Sequence, residues 1–208
     1  MLDFPIIREK VALLLLDYQN DTRAAGGPME NPDSREILVP RAKKLAHFCR
    51  SKGIPVIFVC GVHRKDGSDA GIMAQIHAAV REKRAMVKGT KGAEVYWDMD
   101  LQDGDIVVEK HRYSAFYATD LEMILRNKGI DTVIISGGGI NIGCETTARD
   151  ATNRDFKVIF LSDGNLGHDM PDVGWGPIPK DVIQKVSLSN MAYGFAKVMS
   201  IDELIAKL

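Results

Sequence analysis

The most constraining feature of this 208-residue sequence is the uninterrupted apolar run VALLLL at residues 11–16, which stops abruptly at Asp17. A strand with one wet face alternates apolar and polar residues. A run with no polar member has both faces covered, as in the middle of a parallel sheet. Similar runs recur at residues 55–62 (PVIFVCGV), 105–109 (DIVVE), 132–136 (TVIIS) and 157–161 (KVIFL). Helix-period segments lie between them. Residues 39–51 end before Gly53, and residues 119–127 open with Thr119, carry Glu122 three positions on and stop before Gly129. Two further helices are expected over about 143–153 and 179–194.

Strands alternating with helices make an α/β fold, because parallel neighbours need right-handed crossovers. The expectation is one domain over residues 1–208: a doubly wound parallel sheet flanked by helices. No repeat, low-complexity tract or linker divides the chain, and 208 residues suffice for a continuous core. The Gly/Pro-rich segments 24–32 and 164–179 are read as loops, lids or subunit contacts.

Charge and cysteine usage narrow the partners. The net charge is −1 with no basic block, whereas a nucleic-acid binder needs a clustered cationic face. The Arg81–Lys91 stretch (REKRAMVKGTK) reads as solvated surface. The N-terminal MLDFPIIREK lacks the apolar core of a secretory signal, and no run approaches the roughly 20 residues of a membrane span. Cys49, Cys60 and Cys144 are odd in number and far apart, which fits neither a disulfide framework nor a CxxC clip. A cytoplasmic protein acting on a small molecule is expected, with neither nucleic acid nor membrane as partner.

In open parallel sheets, ligands bind beyond the carboxyl ends of the strands, near a switch in strand order. Asp17 follows the first strand, Lys110 the DIVVE strand, and Gly137-Gly138-Gly139 the TVIIS strand. A carboxylate beside an ammonium is an acid/base pair, and a helix starting near Gly143 offers free N–H groups to developing negative charge. Taken singly, Asp17 would be a turn residue and Lys110 a solvated charge; their joint placement at strand ends favours function. Gln19, Gly138, Gly139, Tyr113 and Phe116 are the candidate substrate contacts, and His63 can reach the pocket from the loop after the second strand. No Asp/His/His spacing suggests a metal site comparable to HExxH or to clustered Cys/His, so no metal is expected. The glycine triplet runs into Asn141 and Ile142 and fails the GxGxxG fingerprint, so no cofactor is expected. Cys49 and Cys60 are read as packed core thiols, and Trp97 and Trp175 as core or interface residues.

Four stretches, LLLLDYQND (13–21), HRKDGSDAG (63–71), VVEKHRYSAFYATDLEMIL (107–125) and SGGGINIGCETTARDATNRDF (136–156), resemble the isochorismatase-like hydrolases. That family includes isochorismatases, nicotinamidases and other amidohydrolases. The resemblance covers about nine-tenths of the chain. It implies a central parallel sheet, a site at the strand ends and commonly an oligomer, here with the loop 169–177 and its Trp175 as a candidate contact. Thiol-using members carry an Asp, a Lys and a Cys; Asp17 and Lys110 match the first two. The third position, two residues before the Glu of E-T/S-T-A-R-D-A, is Gly143 here, and Cys144 comes one residue late. One residue turns a helical side chain by about 100°, so Cys144 is expected to point away if Gly143 faces the pocket. Isochorismatases resemble this chain in carrying glycine there; they cleave an enol ether without a covalent intermediate, an Asp protonating the enol carbon. The resemblance also implies a cis peptide at Gly138–Gly139, with the N–H groups of Gly139 and Gly143 as anion donors.

Three readings follow. The first is a non-thiol hydrolase using Asp17 and Lys110. The second is a Cys144-dependent amidohydrolase acting on an amide or ureide, since a thiol at a helix N-terminus is activated. The third is a non-catalytic ligand-binding relative.

Overall fold

In a computed structural model describing residues 2–208, the chain forms a six-stranded, all-parallel sheet with helices on both faces. The strands are β1 (Val11–Leu16), β2 (Val56–Gly61), β3 (Ile106–Lys110), β4 (Thr132–Gly138), β5 (Lys157–Leu166) and β6 (Lys197–Met199). The helices run in chain order from the short α1 (Asn20–Arg23) through α2 (Val39–Ser51) and the short α3 (Ile72–Ile76) and α4 (Ala78–Arg81) to α5 (Leu121–Asn127), α6 (Glu145–Thr152), α7 (Lys180–Gly194) and α8 (Ile201–Ile205). Their spatial order is β3-β2-β1-β4-β5-β6. The chain winds outward from β1 to β3 and then crosses to the far side of β1 for β4, so the order reverses between β1 and β4. A crevice at the carboxyl ends follows from that reversal.

β1 occupies the centre because its side chains need cover on both sides. All six of its residues are inaccessible to solvent. Val11, Leu13 and Leu15 pack under α2 (Val39–Ser51) on Leu45, Ala46 and Cys49. Ala12, Leu14 and Leu16 face the opposite layer, on Leu121 and Leu125 of α5 (Leu121–Asn127) and Ala148 of α6 (Glu145–Thr152). Each fully buried leucine contributes about 1.5–3 kcal/mol, so β1 anchors two cores at once. α7 (Lys180–Gly194) covers the second layer and α8 (Ile201–Ile205) the first. None of the described helices is long and apolar enough to cross a membrane.

The expected strands and helices are present, with three differences. β5 continues past Leu161 to Leu166, because its pairing with β4 survives a register shift between Ile135 and Gly137. The helix expected from Gly143 begins instead with a wide π-helical turn, Ile140–Cys144, and becomes α-helical at Glu145. The short helices α1, α3 and α4, together with β6 and α8, lie outside the expected elements.

Candidate active site

Asp17 ends β1 with φ at 59°, the left-handed region that aspartate tolerates better than most side chains. Two bonds hold this turn: the Asp17 N–H donates to Val59 O of β2 (2.9 Å), and the Thr22 hydroxyl donates to Asp17 O (2.6 Å). The carboxylate is thereby aimed over the sheet edge at the crevice between β1 and β4.

Lys110 ends β3, which lies two strand spacings from β1, about 10 Å. It can cross β2 because β2 ends in glycine: Gly61 is its register partner, and a Cβ there would stand 3.5 Å from Asp17 Oδ1 and 2.9 Å from Met86 Sδ. The ammonium arrives 3.1 Å from both Asp17 oxygens and donates a hydrogen bond to Oδ2. Oδ1 is buried and accepts none. Lys110 itself is buried and reaches the carbonyls of Arg112 and Tyr113 at 3.4 Å. Removing either member of a buried pair typically costs about 3–5 kcal/mol, because the other charge is stranded.

Gln19 has a different place from the one expected. Its amide is fully buried, donates to Gly61 O (2.9 Å) and Ala93 O (2.8 Å), and accepts from Gly61 N (2.8 Å). The buried amide is committed to backbone through both of its donors and its oxygen, so the expected substrate contact is corrected: Gln19 fixes the end of β2 over which Lys110 passes. Phe116 needs the same correction. It is packed in the helical layer against Phe156 (ring centroids 5.5 Å apart), away from the crevice. Of the tryptophans, Trp97 and Trp175 are exposed rather than core.

The glycine loop decides the orientation at the third position. All its peptide bonds are trans, so the expected cis bond at Gly138–Gly139 is absent; a left-handed Gly139 (φ 72°) makes the turn instead. Its N–H donates to Leu166 O and is not free for an anion. A Cβ on Gly143 would point at Asp17, 3.5 Å from Oδ2. Cys144, one residue on, points into the core: a Cβ on Gly137 would lie 3.0 Å from its sulfur, and the residue is 0% exposed. Burial pushes its thiol well up, and the neighbouring Asp17 charge adds to that. Cys60 and Cys49 are buried likewise, each pushed up to about 12.

Asp17, Lys110, Gly138, Gly139, Gly143 and Tyr113 line one cavity of about 520 Å³. Its apolar wall is Met73, Ile76, Val80 and Met86. Tyr113 is fixed by its hydroxyl, 3.0 Å from His77 Nε2, and burial holds the His77 imidazole below its ordinary pKa. His63 lines the cavity too, and two partners of it were missed. Asp69 and His111 approach until one ligand atom from each of the three lies within 4.8 Å of the others. His63 Nδ1 and Asp69 Oδ2 have no hydrogen-bond partner, and burial keeps His63 below its usual pKa, hence neutral. Two imidazoles and a carboxylate suit a divalent transition ion. This corrects the expectation that no Asp/His/His set is present: His111 is 48 positions from His63 in sequence, so spacing hid what the fold brings together. Arg23 and Ser34, also missed, complete the wall beside Gly138.

Against known proteins, a family model described as the Isochorismatase domain matches residues 11–203. A cysteine hydrolase from Pseudomonas syringae pv. phaseolicola superposes with a TM-score of 0.94 at 33% identity, over 99% of this chain and 95% of that one. An uncharacterized isochorismatase family protein of Bacillus subtilis is 34% identical over 74% of this chain and 77% of its own. Nicotinamidase 3 of Arabidopsis thaliana is 29% identical over 93% of this chain and 86% of its own.

Proposed function

The chain belongs to the isochorismatase family and is a hydrolase, and from that premise we propose that it hydrolyses a small molecule without a thiol intermediate, Asp17 moving the proton. The observation that carries this reading is that Gly143, not Cys144, faces the Asp17–Lys110 pair. A sulfur packed against Gly137 has no path to a substrate in the cavity, and its raised pKa leaves it protonated at neutral pH.

The reaction that fits is hydrolysis of an enol ether. Asp17 in its acid form gives its proton to the alkene carbon remote from the ether oxygen. The ether oxygen stabilises the cation left on the carbon that bears it, and water attacks that second carbon. The water's proton returns to the Asp17 carboxylate, and the hemiketal breaks to a ketone and an alcohol. Lys110 assists by stabilising the carboxylate that exists between donation and return. The space beside Gly143 takes substrate where a nucleophile would otherwise stand.

The test is turnover of a panel of enol ethers, amides and ureides by wild type, Asp17→Asn and Cys144→Ala. Asp17→Asn is expected to lose on the order of 10²–10⁴-fold, the usual worth of a positioned proton-transfer group. Cys144→Ala is expected to keep most activity, with the melting temperature as a folding control. Activity of Asp17→Asn at the wild-type level overturns the reading. So does amide turnover that vanishes in a folded Cys144→Ala, the outcome that would align this chain with the cysteine hydrolase it resembles.

Two further expectations belong to the same reading. The protein works as a homo-oligomer, with Trp175 (90% exposed) and Val173 of the loop 169–177 in the contact. It acts in the cytoplasm on a small molecule, without nucleic acid.

A further inference from the structure

Arg23 stands out among the charged side chains because it is buried and has no acidic partner among the described residues. It sits on the short helix after Asp17 (Asn20–Arg23) and is only 3% exposed. Its guanidinium lies over the Tyr18 ring, 5.0 Å from the centroid, and Nη1 donates to Thr22 O at 3.3 Å. Among the described residues, Nε and Nη2 find no acceptor. Beside it the Ser34 hydroxyl is also buried and without a partner. Both groups border the same bare backbone: a Cβ on Gly138 would lie 2.9 Å from Nη2 and 2.8 Å from Ser34 Oγ.

A buried cation without an anion is unfavourable unless something supplies the anion. The free donors are also specific. Nε and Nη2 form one edge of the guanidinium, with their N–H bonds parallel, the spacing that takes both oxygens of a carboxylate at once. Arg23 and Ser34 line the same cavity as Asp17 and Lys110. Among the charges of that cavity, Lys110 is matched to Asp17 and Glu30 to Arg35, while Arg23 and Arg112 have no acidic partner.

We propose that Arg23, with Ser34 as a second donor, binds a carboxylate of the substrate across Gly138. Nε and Nη2 donate to its two oxygens and the Ser34 hydroxyl to one of them. A side chain at position 138 would press directly on Nη2 and on Ser34 Oγ, displacing both donors. This inference rests on the reading that the cavity around Asp17 is the substrate site. It names the substrate class as small organic acids, anchored at one wall while the apolar residues Met73, Ile76 and Val80 take the carbon skeleton.

The test uses binding rather than turnover, with benzoate as probe and benzamide as its neutral counterpart. Calorimetric titration of wild type is expected to show benzoate binding at least about tenfold tighter than benzamide. Arg23→Gln and Arg23→Lys are both expected to remove that preference, the second because a lysine keeps the charge but loses the paired donors. Ser34→Ala is expected to weaken benzoate by about tenfold or more, one hydrogen bond to a charged acceptor. Should both arginine variants fail to fold, the readout is the Arg23 Nε–H proton of wild type in an NMR titration. It is expected to shift with benzoate and not with benzamide.

Equal affinity of wild type for the two probes, or a benzoate preference that survives in a folded Arg23→Gln, overturns the inference. The Asp17→Asn variant separates the two layers. Arg23-dependent benzoate binding in an Asp17→Asn protein that keeps wild-type turnover would leave the anion site standing and remove the proposed mechanism. The reverse pattern would do the opposite.

Discussion

Replacing Gly143 with cysteine places a thiol where this fold has room for one. Its Cβ would stand 3.5 Å from Asp17 Oδ2 and 3.8 Å from Tyr113 O, ordinary contact distances. Gly143 is not in the left-handed region, so a side chain adds no backbone strain. Exchanging glycine for a residue with a side chain in a helical turn changes stability by less than about 1 kcal/mol. The consequence is chemical. A buried thiol raised to about 12, such as Cys60, is ionised to roughly 3 parts in 10⁵ at pH 7.5. An ordinary cavity thiol with a pKa near 8.5 is ionised to about one part in ten. Thiolate alone therefore favours the new cysteine by a factor of about 3,000, before the access advantage is counted. Mass spectrometry after iodoacetamide treatment of native protein should show no rapid label on wild type and one on Gly143→Cys. Rapid labelling of Cys144 in wild type, slowed by substrate, would refute the placement of that sulfur in the core. A Gly143→Cys thiol as inert as Cys144 would refute the claim that position 143 faces Asp17.

Gly92→Ala should cost about 2–3 kcal/mol, because its Cβ would lie 2.0 Å from Asp21 Oδ1 and break the bond that carboxylate accepts from Met86 N. Differential scanning calorimetry should show a fall of about 4–12 °C, and an unchanged midpoint would contradict the clash. His77 is held below its ordinary pKa by burial, so its contribution to stability is present above about pH 6.5 and is lost as pH falls through its folded-state pKa. A melting series from pH 7.5 to 5 should be flatter in His77→Gln; an identical slope would show that the imidazole is not sheltered. Light scattering of wild type should give at least twice the mass of one chain, with Trp175→Ser shifted towards monomer; a monomeric wild type would end the oligomer proposal.

The parts of the fold legible in the sequence are those whose burial is two-sided. β1 announces itself because all six of its residues are apolar, as a strand covered on both faces favours, and each of its neighbours carries a similar run. β6 is only three residues long, KVM, and is too short for any periodic signal. α8 was findable: Ser200 and Glu203 form a reciprocal capping box, a pattern visible as S-x-x-E. The extension of β5 through SDGNL was not, since those residue types ordinarily break a strand, and only the register shift on β4 makes them pair.

In the site, residues fixed by topology were readable and residues fixed by satisfied hydrogen bonds were not. Asp17 and Lys110 end strands, and strand ends are where a parallel sheet puts its crevice. Gln19 also follows a strand end, but a buried amide bonded to backbone and an amide waiting for substrate look identical in sequence. Arg23 fails in the opposite direction. Two residues after Asp21 on a polar stretch, it reads as solvated, and only the path of the chain turns it inward.

The absence of side chains at three positions shapes this cavity as much as the charges do. Without a side chain at Gly61, Lys110 crosses a strand to reach Asp17; without one at Gly138, the Arg23 edge stays open; without one at Gly143, space remains against the carboxylate. The three can be filled independently, so each tests a separate link. Gly61→Ala should press on Met86 and the Asp17 carboxylate (2.9 and 3.5 Å from the new Cβ) and lower turnover with little effect on benzoate affinity. Gly138→Ala should do the reverse, blocking the carboxylate while leaving the Asp17–Lys110 pair in place. Kinetics and calorimetry on the two variants would show a common loss if a single collapse of the pocket were responsible. Opposite losses are what separate anchoring from proton transfer.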